Sequence, residues 1–326
     1  MTFFRKLTTA AGVLFALLLA GVGVHAQTYP AKPVRWVVGY PAGGGTDFLA
    51  RTVGAQLSQQ LGQPVVVDNR PGAGAIIASE NVARSPGDGY TVFSADNGVL
   101  IYNPVLYKKL PYDAGKDFVL LGMMGRSPLV ITAAPGTNIS DAKGLIAALK
   151  AAPGKYSIAT PGTGSPHHLA LELFQREAGV SLLHVPYKGG APALQDLMGG
   201  QVPLMMLDLP SGISAVKAGK VIPLLALSGE RIPQLPSVPT AKELGFPRVE
   251  AYTWQGLVAP ASTPKDIQAR LGSELQKAVK EPNVRQKLFE TGWEARPMNA
   301  ADMTQYADVE RIKWHTLIKA RDIKLD

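Results

Sequence analysis

Four turns in this chain place glycine between a β-like run and a helical pattern, and the chemistry open to them is anion binding. They are Pro41-Ala42-Gly43-Gly44-Gly45-Thr46-Asp47, Pro71-Gly72-Ala73-Gly74, Pro161-Gly162-Thr163-Gly164-Ser165 and Pro186-Tyr187-Lys188-Gly189-Gly190. Without a Cβ, backbone N–H groups approach a ligand closely. The helix that follows adds about half a positive charge at its first turn. A carboxylate, sulfate or phosphate is held there with no cationic side chain. Gly and Pro also punctuate junctions that bind nothing, and the turn at residues 70–74 reads that way. Three successive glycines weaken a chain unless backbone must approach something, so the first and third turns are assigned ligand contact.

The patterns of other chemistries are missing. There is no Gly-x4-Gly-Lys-Ser/Thr phosphate loop, and neither Gly72-x-Gly74 nor Gly162-x-Gly164 has the third glycine of a dinucleotide fingerprint. Ser165 lies in Thr-Gly-Ser-Pro, not in a Gly-x-Ser-x-Gly elbow. His167 and His168 are adjacent, so on a helix they point about 100° apart and cannot chelate as an i, i+4 pair would. No catalytic residue, metal site or cofactor is expected. The absence of cysteine excludes disulfides, thiolate metal sites and a cysteine nucleophile. The formal net charge of +8 is spread without clusters or interleaved aromatics, which argues against nucleic acid and is compatible with an anionic guest.

Strands alternating with helices must position these turns. Residues 34–39, 65–68, 90–94, 118–124, 129–133, 156–159, 182–185, 202–207, 222–227 and 254–259 read as strands, in a fold with largely parallel pairing. Residues 125–128 look exposed, and 233–247 read as extended over the surface. Helices are expected at 46–61, up to 84, at 140–152, 167–178, up to 198, from 264 and at 300–321. Ile267, Leu271, Leu275 and Val279 share one face of the first C-terminal helix. Ahead of all this, Arg5, Lys6, an uncharged stretch over residues 10–24 and Val24-His25-Ala26 describe a secretory signal cleaved after Ala26. That stretch is shorter than the ~20 residues of a membrane span. The rhythm restarts after residue 125, which predicts two α/β lobes: 27–125 with 253–326, and 126–252. Two connections make a hinge, and a cleft between hinged lobes is a common ligand site.

Several ordered segments resemble one family, the extracytoplasmic solute-binding proteins of tripartite tricarboxylate transporters, the Bug receptors. The segments begin with Tyr29-Pro-x-Lys-Pro-Val-Arg-Trp-Val-Val, Tyr40-Pro-x-Gly-Gly-x-x-Asp47 and Val66-Val-Asp-Asn-Arg-Pro-Gly-Ala-Gly74. They continue with Pro86-Gly-Asp-Gly-Tyr-Thr91, the third glycine turn with His168-Leu169, Val185-Pro-Tyr-Lys-Gly-Gly190, Ser237-Val-Pro-Thr240 and Ala259-Pro-x-x-Thr-Pro264. The resemblance implies a two-lobed periplasmic-binding-protein fold, type II-like and of the Venus-flytrap kind. It also implies a periplasmic location and a carboxylate held by backbone amides and water. Carried over, Tyr40, Ala42, Gly43, Gly44 and Asp47 line the first wall, with Asp47 orienting backbone and water. Thr160, Thr163, Gly164 and His168 line the second. Asp96, Asn97 and Asp208 sit where ligand-specific contacts are expected, with Tyr187 a further candidate. An inward Asp96 would suit a ligand bearing an amine or ring N–H; a surface turn is its other reading. The implied partners are a small organic carboxylate (a di- or tricarboxylate, an acidic amino acid or an aromatic acid) and the membrane subunits of a tripartite tricarboxylate transporter. A periplasmic sensor with the same pocket, or an enzyme acting on a small acid, are the other readings.

Overall fold

Unbroken apolar runs form strands covered on both faces. In the computed structural model, which describes residues 29–325, β1 (Val34–Val38) lies parallel to β2 (Val65–Asn69) and β3 (Thr91–Asp96). The expected signal segment lies outside the described residues. α1 (Gly45–Leu61) crosses from β1 to β2, burying Leu49, Val53, Leu57 and Leu61 at i, i+4 spacing. Gly62, at φ 68°, ends it in the left-handed conformation. α2 (Ile76–Ala83) connects β2 to β3; a π-turn over Gly98–Tyr102 and the short α3 (Asn103–Leu106) follow. No helical period in the sequence signals these last two.

β4 runs unbroken over Phe118–Ala133, where the sequence suggests two strands. Gly125, Ser127 and Pro128 look like a loop by composition, yet all three are buried and stay in register with β9 (Tyr252–Pro260). Pro128 cannot donate to a ladder, and it stands where the pairing changes. Up to it β4 pairs with β9; from Leu129 it pairs with β7 (Leu204–Asp208) and β8 (Ile222–Ala226). The chain between β4 and β8 adds α4 (Ala142–Ala151), β5 (Ser157–Thr160), α5 (Pro166–Ala178), β6 (Leu183–Pro186), α6 (Gly190–Met198) and α7 (Leu209–Lys217). After β9 come α8 (Lys265–Lys280), α9 (Pro282–Glu290), β10 (Glu294–Asn299) and α10 (Ala300–Ala320).

The strand order is β2-β1-β3-β9-β4-β7-β5-β6, with β10 and β8 also on β4. The result is a two-lobed α/β fold in which two sheets share β4 and meet along a seam at Pro128–Leu129. The expected parallel pairing holds at the outer strands β2-β1-β3 and β6-β5-β7. Around the seam every pairing is antiparallel, because β4 carries the chain from one sheet to the other and β9 carries it back. The segment 233–247 is not a surface strap alone: Leu235, Val238 and Ala241 are buried, and Ala226 bridges to Thr240. Trp36, Trp254 and Trp314 are fully buried in the core. α8 buries Leu271, Leu275 and Val279, with Ile267 half-buried at its start.

Candidate functional site

The turn after β1 is braced by its own carboxylate. Asp47 Oδ2 accepts from the Gly43 N–H (2.9 Å) and Arg51 Nε (2.9 Å), and Oδ1 accepts from Asn69 Nδ2 (2.9 Å). Asn69 Nδ2 also donates to the Tyr40 carbonyl at 3.0 Å. Burial alone would raise the Asp47 pKa; donation from Arg51, Gly43 and Asn69 outweighs it and holds the carboxyl below its ordinary value. The Gly43 amide is thus already partnered within its own turn. The Gly44 amide makes a long turn contact, 3.4 Å to the Pro41 carbonyl. Ala42 is exposed. Among the described residues, the amides of Gly45, Thr46 and Asp47, the first three of α1, meet no protein acceptor. These are the orphan donors that every helix start leaves, displaced by one turn residue from where the glycine pattern points.

Behind this turn, the Tyr40 hydroxyl donates to Asp96 Oδ2 and the Val99 N–H donates to Oδ1 at 2.9 Å. Asp96 is 2% exposed, so its surface-turn reading is wrong. Burial raises its pKa against those two donors. Asn97 is fully buried and donates through Nδ2 to the Tyr102 hydroxyl (2.7 Å) and the Tyr252 carbonyl (2.9 Å), while its Oδ1 has no partner.

The third glycine turn is braced in the same manner. The Gly164 N–H donates to His168 Nδ1 at 3.1 Å, so this amide too is spent inside the chain. Gly164 sits at φ 76°, and a methyl there would stand 2.4 Å from Leu325 Cδ1 and 3.0 Å from Leu106 Cδ1. Its missing side chain serves the packing of the C-terminal segment. His168 stacks on His184, centroids 4.1 Å apart, and burial with the His184 charge lowers its pKa to about 4. Thr160 Oγ1 hydrogen-bonds His184 Nε2 at 2.7 Å. Thr163 is exposed. The Tyr187 hydroxyl donates to Asp196 on α6 at 2.7 Å and so is not aimed at the seam.

Asp208 closes the second wall at the end of β7, in register with Leu129. Its Oδ1 bonds His167 Nε2 at 2.9 Å and its Oδ2 accepts from Ser211 Oγ at 3.0 Å. Burial opposes ionisation, but the His167 bond and charge and the Ser211 bond prevail, and the pKa falls below the ordinary carboxylate value. His167, passed over in favour of its neighbour at the sequence level, is thus a partner of this carboxylate. Gln255 was missed as well. It lies opposite Asp96 and donates to Thr46 Oγ1 at 3.1 Å, joining β3, β9 and the start of α1. No glycine pattern marks it; only the register does.

The two walls meet. A methyl on Gly45 would stand 2.7 Å from Pro210 Cβ, so the start of α1 approaches the start of α7 from the other sheet. Trp293 Nε1 donates to the Gly45 carbonyl at 3.2 Å and fixes that helix start. The structure thus links Tyr40 to Asp96, sets Asp96 opposite Gln255, ties Gln255 to Thr46, and puts Asp208 with His167 opposite Leu129, while Asp47 is tied to Gly43, Arg51 and Asn69 beside its own turn. Among the described residues there is no cluster of three or more His, Asp or Glu placed to hold a metal, and no helix long and apolar enough to cross a membrane.

The chain and its fold have known relatives. Residues 49–323 match the family model of the tripartite tricarboxylate transporter family receptor. Protein BugT of Bordetella pertussis (strain Tohama I) is 35% identical over 323 residues, covering 98% of both chains. The structure of the periplasmic binding protein BugD superposes with a TM-score of 0.83 at 33% identity, covering 91% of this chain and 99% of that one. R. palustris Rpa4515 with adipate superposes at 0.84 and 33% identity, covering 89% and 97%. Proteins of this kind are periplasmic solute-binding receptors and not enzymes. With the model spanning most of its length, the chain belongs to the tripartite tricarboxylate transporter receptor family.

Proposed function

We propose that this protein captures a small organic carboxylate at the seam between its lobes and delivers it to the membrane subunits of a tripartite tricarboxylate transporter. One observation carries the reading: the unpartnered amides of Gly45, Thr46 and Asp47 open a 17-residue helix that directly faces α7 of the other sheet. Such a helix start holds an anion by peptide N–H and macrodipole together. The adipate-bound relative supports a carboxylate guest. The lobes are residues 27–125 with 253–326, and 126–252, hinged where β4 changes partner and where β9 begins. Asp47 and His168 act as braces of the binding turns, and Tyr40, Asp96, Asn97 and Asp208 as the floor.

A hydrogen bond to a charged group contributes roughly 1.5–3 kcal/mol. A handful, less the ordering cost, reaches micromolar affinity, about −8 kcal/mol. The test is a thermal-shift screen of the purified mature protein against mono-, di- and tricarboxylates and amino acids. A guest at a hundred times its Kd adds about 2.7 kcal/mol of stability. If no acid raises the melting temperature, the receptor reading fails.

A further inference from the structure

Resting on the receptor reading, we infer that the guest carries, at the end away from its carboxylate, an ammonium group and not a second carboxylate. Among the buried polar atoms without a protein partner, the amide oxygens of Asn97 and Gln255 can only accept, whereas the Trp254 indole N–H, next to Gln255 on β9, is an unpartnered donor. Asn97 Oδ1, Gln255 Oε1, Ser127 Oγ and His167 Nδ1 are buried with no protein partner. Asn97 and Ser127 are fully buried, Gln255 is 1% exposed and His167 7%. An unsatisfied buried polar group forfeits its hydration with nothing in return, so each of these atoms calls for a partner.

The register fixes their relation. Asn97 follows Asp96, which lies opposite Gln255; Ser127 lies opposite Thr253; and Leu129, two residues on, lies opposite Asp208, the partner of His167. Asn97 Oδ1 is an acceptor without ambiguity, because Nδ2 must be the atom that faces the Tyr252 carbonyl.

The charges select the donor. β3, β4, β7 and β9 together contain Asp96, Asp208 and a single cation, Arg126. Arg126 is spent on Glu294 (2.7 and 3.3 Å) and stacks on the Tyr252 ring at 3.9 Å. Asp96 takes its bonds from a phenol and from peptide N–H groups and has no cationic partner, in contrast to Asp47 with Arg51. A carboxylate brought beside Asp96 is repelled in a low-dielectric setting, whereas an ammonium supplies three donors and a positive charge there.

The experiment is calorimetry of the mature protein with chain-matched pairs: succinate and 4-aminobutyrate, glutarate and 5-aminopentanoate, adipate and 6-aminohexanoate. At the favoured length the amino acid should bind at least tenfold more tightly than its diacid. Asp208→Asn and Asp96→Asn, checked for folding by melting, should each shrink that ratio several-fold. A diacid that binds as tightly as its amino partner overturns the inference and leaves the receptor reading standing. So does binding confined to acids without an ammonium group. Binding of no acid at all brings down both.

Discussion

Gly45→Ala separates folding from capture. Gly45 opens α1 and is not among the glycines with positive φ, so its backbone accepts a side chain. Under the receptor reading the lobes part in the absence of a guest, and there the change should be neutral or stabilising by about 0.4–1 kcal/mol, through the entropy of the unfolded chain. With the lobes together, the new methyl lies 2.7 Å from Pro210 Cβ, far inside the ~3.5–4.0 Å of ordinary carbon contact. Overpacking of this kind costs about 1–3 kcal/mol, which weakens binding by roughly fivefold to 150-fold. Titration calorimetry with whichever acid binds the wild type gives the ratio, and melting of the ligand-free variant gives the control. Pro210→Gly in the same background removes the colliding carbon and should restore part of the affinity, as a double-mutant cycle would show. Wild-type affinity in Gly45→Ala would refute the idea that α1 and α7 converge on the guest. A melting temperature lowered without ligand would show that the contact persists in the free protein.

Three further outcomes follow from the braces. Asp47→Asn removes the charge that holds Gly43, Arg51 and Asn69, and should cost about 1–3 kcal/mol at pH 7. Because the folded pKa lies below the unfolded one, that difference is complete above about pH 4 and vanishes on further acidification through the folded value, as melting against pH would show. His168, with its pKa lowered to about 4, binds its proton more readily when unfolded. Wild-type stability should fall as pH drops from about 6.5 toward 4, and less steeply in His168→Gln, whose side-chain oxygen still accepts from Gly164. Gly164→Ala meets both a positive φ and Leu325. It should destabilise by roughly 1–3 kcal/mol, and removal of residues 324–326 should recover part of the loss but not the backbone strain.

The sequence alone determined the strand and helix alternation, the C-terminal amphipathic helices and the family, since each rests on local periodicity or on ordered short segments. It also located the glycine turns Gly43-Gly44-Gly45 and Gly162-Thr163-Gly164 at strand-to-helix junctions, where Gly43 and Gly164 take positive φ. What it could not convey is which amides those turns leave free. Asp47 and His168, four residues on in each case, reach back and occupy Gly43 and Gly164, and only coordinates reveal a side chain's choice of acceptor or donor. Tertiary structure alone also joined two expected strands into β4, since Gly125 to Pro128 read as a loop until β9 covers them. It likewise placed Gln255 beside Asp96 and His167 beside Asp208, residues 159 and 41 positions apart. Pairing across such separations is decided by sheet register and by how the lobes close, and neither leaves a periodic trace along the chain.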